Sequence, residues 1–219
     1  MTDRSVARDL ANRSVGRGDP TGWFEELYRL AETRPEVIPW ADEKVNPHLV
    51  TWAERNGIEG RGRRALVVGC GYGDDAEWLA NRGFRVLAFD VSPTAISAAR
   101  RRFPDSRVDY READVLGLPN EWIRAFDLVF EAYTLQVLPR EPRAVAARQI
   151  AATAKDTLLI VARGRDEDDD PGQMPWPLTR RDLLPIRKQR PDLIQVSFED
   201  YMDDETPPVR RFRVEYRTK

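Results

Sequence analysis

Apolar residues in this chain fall into two spacings that alternate from about residue 64 onward. "RALVVG" (64–69), "RVLAFD" (85–90), "FDLVFEA" (126–132) and "TLLIVAR" (157–163) are short, nearly continuous apolar runs. Such runs are the pattern of strands buried on both faces. "RVDYREAD" (107–114) reads as another strand, third in chain order. Between the strands the apolar positions spread to helical spacing, over residues 74–81, 92–103 and 142–154. Ser92 is a suitable N-cap for the second of these helices, and Pro93 suits its first position. Alternation of this kind predicts a parallel sheet covered by helices on both faces. The rhythm changes after an acidic, proline-rich loop at 166–177. A short helix is expected within 178–191, then strands at 193–200 and 211–217, with Phe212, Val214 and Tyr216 on one face of the last. The turn-like "DDETPP" between these two strands predicts an antiparallel pair. The expected fold is therefore a doubly wound α/β sheet of seven strands, mostly parallel, with one antiparallel strand.

Upstream, residues 1–20 are polar and contain Gly16, Gly18 and Pro20, which predicts a mobile arm or partly ordered lid. "PTGWFEELYRLAETRP" places Trp23, Phe24, Leu27, Tyr28 and Leu30 at helical spacing. Val37–Trp40 should be extended, because Pro39 disfavours helix before it. Pro47–Gly57 reads as a helix with proline at its start and an Asn-Gly stop. The division expected is an arm and helical lid over 1–46 and one domain over 47–219.

Composition narrows the function classes. The chain has 219 residues, 41% hydrophobic and 33% charged, with a net charge of −2. That balance offers no basic excess for nucleic acid or an anionic membrane surface. The first residues lack a secretory apolar region, and no apolar run approaches membrane-span length. The expectation is a cytoplasmic protein, a monomer or weak dimer. Cys70 is the one cysteine and His48 the one histidine. No internal disulfide or cysteine zinc site is possible, and no metal is expected.

The chemistry gathers at the turn after the first strand. Gly69, Gly71 and Gly73 give G-x-G-x-G, and Asp74 stands where the dinucleotide fingerprint has its third glycine. A carboxylate there repels a pyrophosphate while favouring the helix N-terminus. Asp74 and Glu77 also have capping-box spacing. The turn suits a ligand without phosphate but with cationic groups, as S-adenosylmethionine is. Asp74 or Asp75 can attract its ammonium. Asp90, about 20 residues on and followed by Val91 and Ser92, is placed to bond ribose hydroxyls. Asp114, with Glu112 as the alternative by register, and the Val115 amide stand at the end of the third strand, where adenine can be read. Glu131, Ala132 and Tyr133 end the fourth strand, where such sheets open their cleft. Trp40 can cover a sulfonium with its aromatic face, and Trp23, Phe24 and Tyr133 are candidates for an acceptor pocket. Cys70 reads as a small packed residue within the turn, and His48 shows no partner in sequence.

"VVGCGYG", "FDVS", "READV" and "FDLVFEAYTLQVLP" resemble the successive motifs of class I S-adenosylmethionine-dependent methyltransferases, over roughly residues 35–219. "GWFEELYRLAE", "VIPWADEKVNPHLVTW", "PWPLTRRDL" and "PPVRRFRVEYR" are similar to segments of the thiopurine S-methyltransferase and thiol/halide methyltransferase group. That group's Pro-Trp-Asp-x-Gly becomes Pro39-Trp40-Ala41-Asp42-Glu43 here. The resemblance implies S-adenosylmethionine as cofactor, S-adenosylhomocysteine as product, and a helix with a Pro-Trp segment folded over the site. The implied reaction is in-line methyl transfer to a small-molecule acceptor, a thiol or other soft nucleophile, by proximity and desolvation and without an essential general base. No catalytic residue is assigned. Oxygen or nitrogen acceptors, tellurite, halide, or a non-catalytic nucleotide-binding role are the alternatives. Enzymes methylating base amino groups carry Asp/Asn-Pro-Pro-aromatic after the fourth strand, where this chain has Glu131-Ala132-Tyr133-Thr134.

Overall fold

The computed structural model describes residues 4–40 and 43–219; Ala41 and Asp42 of the Pro-Trp segment and the first three residues lie outside them. Seven strands, β1 (Arg64–Val68), β2 (Arg85–Asp90), β3 (Asp109–Glu112), β4 (Phe126–Ala132), β5 (Ala154–Arg163), β6 (Leu193–Met202) and β7 (Arg210–Thr218), form one sheet in the order β3-β2-β1-β4-β5-β7-β6. β1 to β5 pair in parallel, and β7 runs antiparallel between β5 and β6. This is the mixed sheet expected from the alternation of runs. The order reverses between β1 and β4, the place where doubly wound sheets open a crevice at the carboxyl ends of their strands.

Alternate residues of β1 show why its run is continuously apolar. Leu66 and Val68 face a core shared with α6 (Arg140–Thr153) and α7 (Leu184–Gln189), through Ala146, Ile150 and Ile186. Ala65 and Val67 face the other core, shared with α3 (Pro47–Arg55), α4 (Asp74–Asn81) and α5 (Pro93–Arg102), through Leu49, Trp52, Leu79 and Ile96. Both faces are covered, so every side chain of the strand's centre leaves water.

Caps fix where the helices begin. The Ser92 side chain accepts from the Ala95 amide (3.0 Å) at the start of α5, as expected. Asn46 does the same for α3, accepting from the His48 amide (2.9 Å). The capping box expected at Asp74 and Glu77 does not form. Gly73 is the N-cap of α4, in a left-handed conformation, and Glu77 turns away to accept from Tyr110 Oη (2.7 Å). A capping box occurs instead at Thr179 and Asp182, where Asp182 also pairs with buried Arg143 (2.9 Å).

The N-terminal segment departs from expectation. Within the region read as a mobile arm, Ser5–Gly16 is an α-helix, α1. Ala7, Leu10, Ala11 and Ser14 are buried along it, at i, i+3, i+4 and i+7. Three of the four are small, so the stripe is faint in sequence. α1 packs with α2 (Trp23–Ala31) in a third apolar cluster that includes Val37, Ile38, Ala95, Val137 and Met174. The following stretch contains a 3-10 turn at Pro35–Val37 before Ile38 becomes extended.

Ile150, fully buried between α6 and the sheet, tests the packing. Ile150→Ala should cost about 2–5 kcal/mol in urea unfolding, whereas Ile123→Ala, at a side chain 54% exposed, should change stability by less than about 0.5 kcal/mol.

Candidate active site

A cavity of about 450 Å³ lies along the carboxyl ends of the strands, roofed by the N-terminal helices. Its wall on the β1–β2 side is built by the glycine turn. Gly69, Cys70 and Gly71 all line it. Gly69 has φ +59°, and a Cβ there would lie 2.4 Å from Thr134 Oγ1. Only glycine lets this backbone face the cavity at such close approach. Gly73 (φ +94°) lies behind the wall, its Cβ position filled by the Tyr110 hydroxyl at 2.3 Å. Gly73 therefore shapes the turn rather than the cavity surface. The Cys70 thiol is pushed well up in pKa by burial and by the charge of Asp90, which keeps it neutral and unreactive.

Asp90 ends β2 and reaches back to the turn. Its Oδ2 accepts from the Gly71 amide (3.0 Å) and its Oδ1 from the Ser92 amide (3.0 Å). A carboxylate has about four acceptor directions, so these two bonds leave capacity toward the cavity that Asp90 lines. Burial raises its pKa above the ordinary value, although the amide bonds pull the other way. Val91 lines the cavity beside it. Ser92 does not: it is fully buried as a cap, and its hydroxyl donates to Glu25 Oε2 (2.6 Å).

The two carboxylates that open α4 take different partners. Asp74 forms an ion pair with Arg102 (2.6 Å). Asp75 accepts from the Asn46 amide (2.7 Å), which joins α4 to the segment before α3. Both line the cavity, so the helix N-terminus that could hold a phosphate is fenced by negative charge.

Polar contacts of Glu25 and Thr21 pin the N-terminal helices over this wall. Glu25 of α2 accepts from Ser92 Oγ, from the Thr94 amide (3.2 Å) and from Thr94 Oγ1 (2.8 Å). Burial would raise the Glu25 pKa, but these bonds outweigh it and hold the group below the ordinary carboxylate value. Thr21 donates to Asp114 Oδ2 (3.1 Å), while Asp114 Oδ1 accepts from the Leu116 amide (2.8 Å). Asp114 is thereby turned into the roof contact, and its neighbours Ala113 and Val115 line the cavity in its place. Trp40 Nε1 donates to Tyr28 Oη (3.2 Å), and both rings line the cavity with Phe24. Trp23 is stacked behind Phe24 at 3.9 Å and is wholly buried, so it supports the wall without reaching it.

The β4–β5–β7 side forms the other half. Ala132 and Tyr133 line it, and Tyr133 sits at φ +68°, a strained backbone for a large side chain. Burial pushes its hydroxyl up to about 12. Glu131 does not reach this surface. Its Oε1 accepts from the Thr134 and Leu135 amides (2.8 and 3.0 Å), bracing the loop after β4, and it is fully buried. The single fact that it ends a strand could not reveal that it turns inward. His48 lines the cavity and does have a partner, since its Nδ1 lies 2.8 Å from Tyr201 Oη. Burial and the charge of Arg211 lower the His48 pKa to about 4, so its ring is neutral at pH 7. Tyr28, Asn46, Gln136, Arg163 and Arg211 also line the cavity and were not singled out from sequence. The Asn-Pro pair before α3 was a usable signal for Asn46. The arginines become visible only when strand ends are aligned.

Glu131 has a measurable signature. Burial raises its pKa to about 7, against the two amide bonds that lower it. The folded protein therefore holds a proton on Glu131 that the unfolded chain releases near 4.5, and folding stability falls as pH rises from 4.5 to 7. The loss is about 3 kcal/mol by linkage. Glu131→Gln keeps an acceptor for both amides and should remove this loss, read as the difference between variant and wild-type urea unfolding across that pH range.

A family profile described as a methyltransferase domain matches residues 65–157, from β1 to β5. A ubiquinone biosynthesis O-methyltransferase of Aromatoleum aromaticum is 33% identical over 128 residues, covering 57% of this chain and 53% of that protein. The chain spans about half the length of the curated relatives it matches. Among solved structures, the 1,6-didemethyltoxoflavin-N1-methyltransferase of Burkholderia thailandensis, crystallised with 1,6-didemethyltoxoflavin and S-adenosylhomocysteine, superposes with a TM-score of 0.67 at 18% identity, covering 95% of this chain and 89% of that one. A SAM-dependent methyltransferase from Anabaena variabilis gives 0.68 at 15% identity, over 90% and 93%. The profile match marks a methyltransferase domain over β1 to β5, and the chain shares the fold of S-adenosylmethionine-dependent methyltransferases.

Proposed function

We propose that the protein transfers the methyl group of S-adenosylmethionine to a small-molecule acceptor whose nucleophile is a thiol or another group already ionised near neutral pH. The residues of the β1–β2 wall fit the cofactor. The cradle at Gly69 and Gly71 has no room for added Cβ atoms, Asp90 keeps acceptor capacity toward the cavity, and Asp75 supplies negative charge for an ammonium. When bound, the cofactor supplies a methyl group already activated by its sulfonium. What remains to the chain is to hold the acceptor in line, exclude water and keep the positive charge over aromatic faces. Trp40, Tyr28 and Phe24 offer those faces.

The observation that carries the acceptor class is the weak basicity of the cavity's one imidazole. A His48 pKa near 4 makes a poor proton acceptor for an alcohol. Glu131, whose pKa lies near neutrality, sits behind the wall. Thiols ionise readily enough to need neither. The subgroup resemblance of "VIPW" and "PWPLTRRDL" favours the same class. A second reading, transfer to a phenolic oxygen with His48 as proton acceptor, draws on the O-methyltransferase names of the relatives and on the Tyr201–His48 contact.

Radiolabelled methyl transfer to an aryl thiol and to a catechol separates the readings. The thiol should turn over, its rate should follow the thiolate fraction with pH, and His48→Ala should lower kcat less than about threefold. Turnover of the catechol alone, with a loss on His48→Ala in the 100-fold to 10,000-fold range of general-base catalysis, would establish the oxygen reading instead. Asp90→Ala should weaken S-adenosylmethionine binding by about tenfold to a hundredfold in either case.

A further inference from the structure

The charges of the cavity do not balance at its β5 end. Arg163 is the last residue of β5, and its backbone is pinned on both sides. Its amide donates to Gln136 Oε1 (2.7 Å), and its carbonyl accepts from the Leu178 amide (2.8 Å). Arg163 lines the cavity and is half-buried, yet its side chain makes no ion pair or hydrogen bond with any described residue. Arg4, which precedes α1, lines the same cavity, and it too has no side-chain partner among the described residues.

The acids of the cavity are already engaged. Asp74 pairs with Arg102, Asp75 holds the Asn46 amide, and Asp90 holds the Gly71 and Ser92 amides. Glu205 and Asp203 both pair with Arg211, which is the neighbour of Arg163 in the β5–β7 register. Other arginines buried in this molecule have carboxylates: Arg143 has Asp182, Arg190 has Asp192 and Arg213 has Glu199. Half-buried Arg163 has no carboxylate paired with it among the described residues; burial and the charges of Arg4 and Arg211 lower its pKa, while the nearby charge of Glu205 pulls the other way. A guanidinium cannot relieve this by losing its proton. Leaving a desolvated cation beside another is unfavourable unless an anion joins them.

We infer that Arg163, assisted by Arg4, is the binding site for a carboxylate carried by the methyl acceptor. This inference rests on the methyltransferase reading above and specifies its substrate class. The guanidinium fork matches a planar carboxylate in bidentate fashion. A monoanion also suits a cavity whose far wall is acidic better than a phosphate dianion does. The position is right for an acceptor. Val161, two residues before Arg163, accepts the Tyr133 amide (3.1 Å), so Arg163 lies on the β4–β5 half, across the cavity from the glycine turn and Asp90.

The test uses the full chain saturated with S-adenosylhomocysteine and four probes in calorimetry: 2-mercaptobenzoate, 3,4-dihydroxybenzoate and the methyl ester of each. At least one acid should bind about tenfold or more tighter than its ester. Arg163→Gln should abolish that preference while S-adenosylhomocysteine affinity stays within about twofold. Arg163→Lys, which keeps the charge without the fork, should retain part of it, and Arg4→Gln should reduce it. Acids that bind no better than their esters, or fail to bind at millimolar concentration, overturn the inference. So does a preference that survives Arg163→Gln. A large loss of S-adenosylhomocysteine affinity in folded Arg163→Gln would overturn it as well, by assigning the arginine to the cofactor's own carboxylate. The same titrations without S-adenosylhomocysteine keep the two readings apart. If the wild type binds no S-adenosylhomocysteine, the methyltransferase reading fails, whereas an acid preference that depends on Arg163 would still stand.

Discussion

One buried carboxylate joins the two strands on which the rest of the site depends. Asp90 sits at the end of β2 and is 6% exposed, but it holds the Gly71 amide of the turn after β1 and the Ser92 amide at the start of the next connection. Without it, two backbone donors at the carboxyl edge of the sheet would be buried and unpaired, at a cost of about 1–3 kcal/mol each. The turn's own geometry adds to the constraint. At Gly69 a Cβ would collide with the Thr134 hydroxyl of the loop after β4, so the turn and that loop lie against each other only because the residue is glycine. Glu131 then holds that loop from beneath through the Thr134 and Leu135 amides. β1, β2 and β4 thus present one joined surface at the point where strand order reverses.

The N-terminal helices close over that surface through polar contacts as well as apolar packing. Glu25 acts on the same Ser92 that caps α5, and Thr21 reaches Asp114 at the end of β3. Each contact joins the roof to a residue next to the glycine-turn wall of the cavity. Trp40 and Tyr28 complete the roof from within α2 and the segment after it. The cavity therefore has two halves of different character: a glycine and carboxylate wall over β1 and β2, and an arginine-bearing wall over β5 and β7.

The fold was legible because its signals are long-range regularities. Four of the five parallel strands are marked by short apolar runs, and the alternation of Phe212, Val214 and Tyr216 marks the strand that reverses. α1 was not legible, since Ala7, Ala11 and Ser14 carry too little hydrophobicity to mark a buried stripe. In the site, the residues set by backbone geometry were readable: Gly69, Gly71 and Asp90 stand on the cavity wall. Residues defined by side-chain direction were not. Like Asp90, Glu131 and Asp114 lie at or just beyond the carboxyl ends of their strands, but one turns beneath the loop and the other toward Thr21. Trp23 and Phe24 are adjacent in sequence, and only the ring in front meets the cavity. Arg163 was invisible for another reason: in a chain with so many charged residues, an arginine without a partner among the described residues is recognised only once its neighbours are placed.

The claim on which all of this turns is that the loop after β1 accepts an adenosyl sulfonium donor and refuses a diphosphate. A crystal structure of the protein grown with S-adenosylhomocysteine, alongside one grown with NAD, measures it directly. The expected result is S-adenosylhomocysteine in the cavity with its ribose hydroxyls on Asp90 and its homocysteine portion over Gly69 and Gly71, and no NAD bound. A dinucleotide whose diphosphate rests on the Gly69–Gly73 turn, or S-adenosylhomocysteine bound away from it, would contradict the claim.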